Sequence, residues 1–388
     1  MGITKKIDSI FLFLFLIIFP FGQIIRLSFN FAGLAIPFHP IDLVVGLGAI
    51  YSVLFQKSRS KIFKYLNVFL AILIFSFILS IFVFGKNSIY GIFYLIRLIS
   101  YTYFLNYVWN FVKSNLINKR LIINSLILAT VASAFFGWIQ FFMFPDIKPF
   151  FVYGWDMHLF RLVGTFLDPT FLGLIIVFGL ILSINRLIET KNNRYLLIII
   201  FLLISLAFTY SRASYLAFLG AMVLIAFVKN RYRKLFLWVV GLLLIVLMLP
   251  TAKNHSIELT RTFSITAKFD NYQDAIEIFK KFPVFGVGYN NFCYARNKFI
   301  GFESFSSHAC SGSDSSLLLI LATCGVVGFI IFISTVLKVF GFLRGNLMNY
   351  FTGPILVALF VHSLFSNSLF FPWILGFVII LLAVNLKE

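Results

Sequence analysis

Charge is what this sequence has least of. Only 12% of its 388 residues are Asp, Glu, Lys or Arg, and just 13 of them are acidic. A soluble domain carries roughly a quarter charged residues, so an ordinary water-soluble globule is excluded. Cysteine is scarce too: three residues are too few for a disulfide framework, and no Cys-x-x-Cys or His/Cys spacing suggests a metal. The short alternating segments of an outer-membrane barrel are missing. So is a phosphate cradle: the Gly286-Val287-Gly288 stretch is too short and follows no strand, which argues against a nucleotide site.

Long apolar runs are what the chain has in place of charge. It is 61% hydrophobic and 19% aromatic, and stretches of about 18 or more nearly uncharged residues recur, the length a helix needs to cross a hydrocarbon core. The expected fold is all-α: a polytopic membrane protein of about 12 transmembrane helices, near 9–26, 41–55, 65–84, 88–112, 121–144, 165–185, 195–210, 213–228, 234–251, 315–337, 349–366 and 369–386. Lys5 and Lys6 precede a long apolar stretch without a small-residue cleavage site, so the first run reads as a retained span. The expected organisation is helices 1–9 in 1–250, one long loop in 251–313, and the last three helices in 314–388.

A net charge of +19 raises the question of nucleic acid. The basic residues instead alternate between turns: Lys57, Arg59, Lys113, Arg120, Arg186, Lys191, Arg194 and Lys229 fall on one side and few on the other. By the positive-inside rule both termini are cytoplasmic and the 251–313 loop is external. The charge is then topological, and no nucleic-acid partner is implied.

Few polar residues interrupt this pattern. Arg97 falls inside the fourth run, where a charge is costly and faces a bundle interior, caps kinked-helix carbonyls or contacts an anionic lipid or phosphate. Arg161 and Arg212 sit at outer helix ends against the charge trend. Each alone reads as an arginine snorkelling to the interface, and together they suggest a shared anion site. Asp168-Pro169 opens the next helix. In the long loop, Ala275, Ile278, Phe279 and Phe282 recur at helical spacing, predicting an amphipathic helix over 268–282 that Pro283 stops. Asp314 lies just before an apolar run. It reads either as a helix N-cap in Ser313-Asp314-Ser315-Ser316 or as a general base. His362 reads as a packing residue. Cys293 and Cys310 share the loop and could pair outside the cell.

Four stretches in order, RLVGTFLDPTFLG (161–173), YSRASYLAF (210–218), YQDAIEIFKKFPVFGVGYNNF (272–292) and DSSLLLILATCGVVG (314–328), resemble the O-antigen ligase and polymerase superfamily of bacterial membrane glycosyltransferases. The resemblance implies a GT-C-like helical enzyme of the bacterial plasma (inner) membrane. It would be a metal-independent, cofactor-free inverting glycosyltransferase moving a glycan from an undecaprenyl-diphosphate-linked oligosaccharide to an acceptor hydroxyl, on a growing glycan or on lipid A-core. By position, Arg161 and Arg212 match family arginines that hold the diphosphate. Lys268 stands where the family often has Arg, with Arg261 as a second candidate. Where ligases typically carry His-Asn-Ser, this chain has Asp314-Ser315-Ser316, so the catalytic role falls to Asp314 or to His308, and the departure leans toward a polymerase. The alternative is a membrane transporter or flippase of a lipid-linked or small anionic substrate, with Arg97 as its main residue.

Overall fold

A backbone surrounded by apolar side chains must satisfy its own polar groups, and helices do this within one segment. The computed structural model describes residues 3–31, 34–113, 116–153, 158–229, 232–249, 263–301, 312–343 and 351–386. In chain order the described helices are α1 (Ile3–Ile18), α2 (Pro40–Phe55), α3 (Phe63–Phe84), α4 (Ile92–Lys113), α5 (Leu116–Met143), α6 (Pro169–Thr190) and α7 (Arg194–Phe208). They continue as α8 (Arg212–Lys229), α9 (Tyr232–Met248), α10 (Phe263–Lys281), α11 (Phe292–Ile300), α12 (Ser316–Leu343), α13 (Thr352–Ser363) and α14 (Pro372–Asn385).

Every apolar run expected as a span forms a helix. Among the described residues, five are long and apolar enough to cross a membrane by length and composition: 63–84, 88–113, 119–143, 169–190 and 316–343. Seven further apolar helices are shorter. The loop helix expected over 268–282 is α10, which begins five residues earlier and ends at Lys281, before Pro283. Ala275 and Ile278 are buried on its inner face, packed with Leu319 and Ala322 of α12.

The all-α expectation holds, with one local exception: Leu27–Phe31 and Leu34–Phe38 pair as an antiparallel hairpin, β1–β2. Leu27, Phe29 and Phe31 alternate with Ser28 and Asn30, a period of two that a search for long apolar runs passes over.

At the centre stands α6, buried on all sides from Leu172 through Asn185. Such a helix is apolar all round because it has neighbours all round. It packs against α5, α7, α8 and α13. Two glycines allow close approaches: a Cβ at Gly173 would strike the Ser214 hydroxyl of α8, and one at Gly179 would strike Thr130 of α5.

The other departure from a plain bundle is in α12, whose helical backbone breaks at Gly325 (φ 65°, ψ −172°). The 283–288 segment fills the break. Val326 and Val327 N–H donate to the Pro283 and Val284 carbonyls at 2.8 and 3.2 Å. Val287 and Gly288 N–H donate to the Ala322 and Thr323 carbonyls at 3.1 and 2.8 Å. Ser76 Oγ of α3 donates to Phe285 O and Thr323 O, both at 2.8 Å. Gly286 takes φ +69°, and a Cβ there would collide with the α12 backbone at Thr323–Cys324, so glycine is required on both counts. Backbone groups freed by the break at Ala322, Thr323, Val326 and Val327 thus find partners within the protein.

Candidate active site

The polar residues of the loop and of several helix ends meet at one end of the bundle, where α6, α8, α12 and α14 begin and α13 ends. Local sequence fixes the start of each. Asp168 caps α6, its Oδ1 accepting from Thr170 N–H at 2.6 Å, and Pro169 supplies a first-turn residue with no N–H to satisfy. On α12 the cap is Ser315, whose hydroxyl accepts from Leu318 N–H at 3.4 Å. Asp314 is therefore not needed as the cap, and its carboxylate points elsewhere.

That carboxylate faces α10. Lys268 Nζ lies 3.6 Å from Asp314 Oδ1, with the side chains 34% and 43% exposed. Lys268 also donates to Phe365 O, just past α13, at 2.5 Å. Three residues along α10, Asn271 accepts from the Asp314 backbone N–H at 2.7 Å and donates to Gly312 O at 3.4 Å. Tyr272 donates to Leu364 O at 2.8 Å. Partial burial and the Asp314 carboxylate hold its phenol proton to about 12, so it remains a donor at neutral pH. Helix α10 is thus tied at one stroke to the start of α12 and the end of α13, and the pair is left partly open to solvent.

Arg161 and Arg212 occupy the neighbouring corner. Tyr210, between α7 and α8, has φ +50°, a left-handed conformation that is costly for a bulky residue. Arg161 holds it there: Nε donates to Thr209 O at 2.9 Å and an Nη to Tyr210 O at 3.1 Å. Leu162 N–H adds a bond to Phe208 O at 2.9 Å. Arg161 is only 3% exposed, whereas Arg212, the first residue of α8, is half-buried. The two expected partners therefore differ in situation: Arg161 shapes the corner, and Arg212 is presented by it.

Between corner and loop runs a buried network that sequence reading assigned only to packing. His362 of α13 is fully buried. Its Nε2 lies 3.3 Å from Ser214 Oγ and its Nδ1 2.5 Å from Ser368 Oγ. Ser211 Oγ and Ser214 Oγ are 2.8 Å apart. Ser315 Oγ donates to Ser363 O and Ser316 Oγ to Ser366 O, each at 3.3 Å. A signal was present: serines cluster at 211–214, 313–316 and 363–368, all beside apolar runs.

Arg97 is placed differently from its sequence reading. Because α4 begins at Ile92, Arg97 stands in the second turn rather than mid-helix. It forms a 2.8 Å ion pair with Asp42 in the first turn of α2, side chains 16% and 8% exposed. Tyr101 donates to the same carboxylate at 3.4 Å, and the guanidinium lies 5.1 Å from the Tyr94 ring centroid. Of the remaining candidates, Arg261 and His308 lie outside the described residues. Cys293 is disulfide-bonded; its expected partner Cys310 also lies outside them, and Cys324 is a free, buried thiol.

No curated protein matches the chain. A family match does appear where the geometry concentrates, spanning Arg212, Lys268 and Asp314 and leaving out Arg97 and Arg161. Residues 196–333, from α7 into α12, match the family model described as O-antigen ligase, and that domain supports placing the chain in the O-antigen ligase and polymerase superfamily.

Proposed function

We propose that this protein is a membrane glycosyltransferase that moves a glycan from a polyprenyl-diphosphate carrier to an acceptor hydroxyl on the external face of the plasma membrane. The observation that carries the reading is Asp314. Within the family-matched stretch, it is a partly exposed carboxylate released from capping duty by Ser315 and set 3.6 Å from a lysine.

The chemistry follows from these groups. The acceptor oxygen attacks the anomeric carbon as its proton passes to the Asp314 carboxylate. The bond from that carbon to the phosphate oxygen breaks, and the lipid diphosphate leaves with the electron pair. A single displacement inverts the anomeric centre. Negative charge grows on the leaving diphosphate, and fixed cations stabilise it where it develops; Arg212 and Lys268 supply them. Arg161, bonded to two carbonyls, acts by holding the corner that presents Arg212. A carboxylate at the register where ligases carry histidine favours chain extension over transfer to lipid A-core.

The test is direct. Purified protein in liposomes receives a polyprenyl-diphosphate oligosaccharide, and products are resolved on a gel. The expected result is a ladder from donor alone, erased by Asp314→Ala. A single product that requires lipid A-core would reassign the protein as a ligase. Bound donor with no product under either condition would overturn the proposal.

A further inference from the structure

A second site lies at the opposite end of α7. A cavity of about 810 Å³ runs between α6, α7 and α9. Along α7 it extends from Asn193 to Ile204, about 16 Å at the helical rise per residue. Its walls are apolar, including Leu187, Ile200 and Ile245, and its polar lining gathers at one end: Lys191 and Asn193 in the α6–α7 turn, with Trp238 nearby on α9.

Three features specify an occupant. The cavity is a groove open along one side, with Ile200 and Leu237 exposed, and its apolar lining offers water few polar partners and favours hydrocarbon. Gly241 leaves the α9 wall unfilled, since a Cβ there would meet nothing within 4 Å. The polar end is electropositive. Lys191 makes no ion pair with a described residue, the nearby Arg186 and Glu189 neutralise one another at 3.1 Å, and the N-terminus of α7 directs its partial positive charge to the same place.

We infer that this cavity binds one anionic phospholipid of the membrane leaflet on the Lys191 side, its phosphate at Lys191 and Asn193 and its acyl chain along α7. The site is separate from the Asp314 end and does not depend on the glycosyltransferase reading.

Native mass spectrometry of the detergent-purified full chain tests it, with phosphatidylglycerol and phosphatidylcholine as probes. Wild type should retain phosphatidylglycerol over phosphatidylcholine by about fivefold, the size of one lysine–anionic lipid contact. Lys191→Gln should remove that preference while keeping some of both lipids. Gly241→Phe, which fills the cavity without touching the polar end, should lower retention of both. Monodisperse elution and an unchanged melting midpoint certify each variant as folded; Lys191→Gln alters only an exposed side chain and keeps the test decisive if Gly241→Phe misfolds. Equal retention of the two lipids by wild type, or wild-type retention by a folded Gly241→Phe, would overturn the inference. Displacement of phosphatidylglycerol by equimolar undecaprenyl phosphate would also overturn it, by showing the slot to be a polyprenyl site.

Discussion

Among the described residues, two cation–aspartate pairs at the same end of the bundle, Arg97–Asp42 and Lys268–Asp314, are built for opposite purposes. Arg97 and Asp42 meet at 2.8 Å with both side chains largely buried, and Tyr101 donates to the same carboxylate. Lys268 and Asp314 stand 3.6 Å apart and a third or more exposed, with the lysine shared by a backbone carbonyl. The first pair has its geometry satisfied and its access closed, which is the condition for a structural ion pair between two helices. The second is loose and reachable, which is the condition for exchanging one partner for a substrate group. Sequence reading treated Arg97 as a possible functional charge because its partner, 55 positions away on α2, cannot be seen in local pattern.

Breaking the open pair should change activity most. Asp314→Asn is expected to lower glycan transfer by about 100- to 10,000-fold, the range for losing a general base, with the melting midpoint nearly unmoved because a half-exposed pair is worth about 0–1 kcal/mol. Breaking the closed pair should do the reverse. Arg97→Gln strands a buried carboxylate and is expected to cost about 3–5 kcal/mol, read as a fall in thermal midpoint, while an Arg97→Met/Asp42→Leu double variant recovers most of it. A single variant as stable as wild type would erase the distinction. Next in size, His362→Ala leaves Ser214 and Ser368 without their shared partner and should cost about 1–3 kcal/mol, with transfer falling as the α8 and α13 ends loosen; unchanged melting and activity would demote that network to filler. The smallest effect sharpens the role of Lys268. Lys268→Arg should stay within a few-fold of wild-type transfer because the charge is kept, whereas Lys268→Gln should fall further and raise the donor KM. Equal behaviour of the two would mean that the position does not meet the diphosphate.

The helices were legible because their cause is local. Runs of uncharged residues set all the apolar helices, the spacing of Ala275 and Ile278 set α10, and Asp168-Pro169 marked the start of α6. Asp314 was legible as a helix-end carboxylate, though only the structure shows Ser315 taking over the cap. What stayed hidden was settled between distant segments. The β1–β2 pairing, the Asp42 partner of Arg97 and the Ser214–His362–Ser368 contacts each join residues that no short window contains. The interruption of α12 was invisible for another reason: LLLILATCGVVGFII is uniformly apolar, and hydropathy carries no information about a glycine's backbone angle.

That interruption has a mechanical consequence. Helix α10 ends where the 283–288 segment is stitched into both halves of α12 by backbone bonds. Its other tethers are side-chain bonds: Lys268 to Asp314 and Phe365, Asn271 to Gly312 and Asp314, and Tyr272 to Leu364. On the proposed function, a diphosphate that draws Lys268 away from Asp314 would free that carboxylate, while the Asn271 and Tyr272 bonds and the Pro283–Gly288 stitch keep α10 in place.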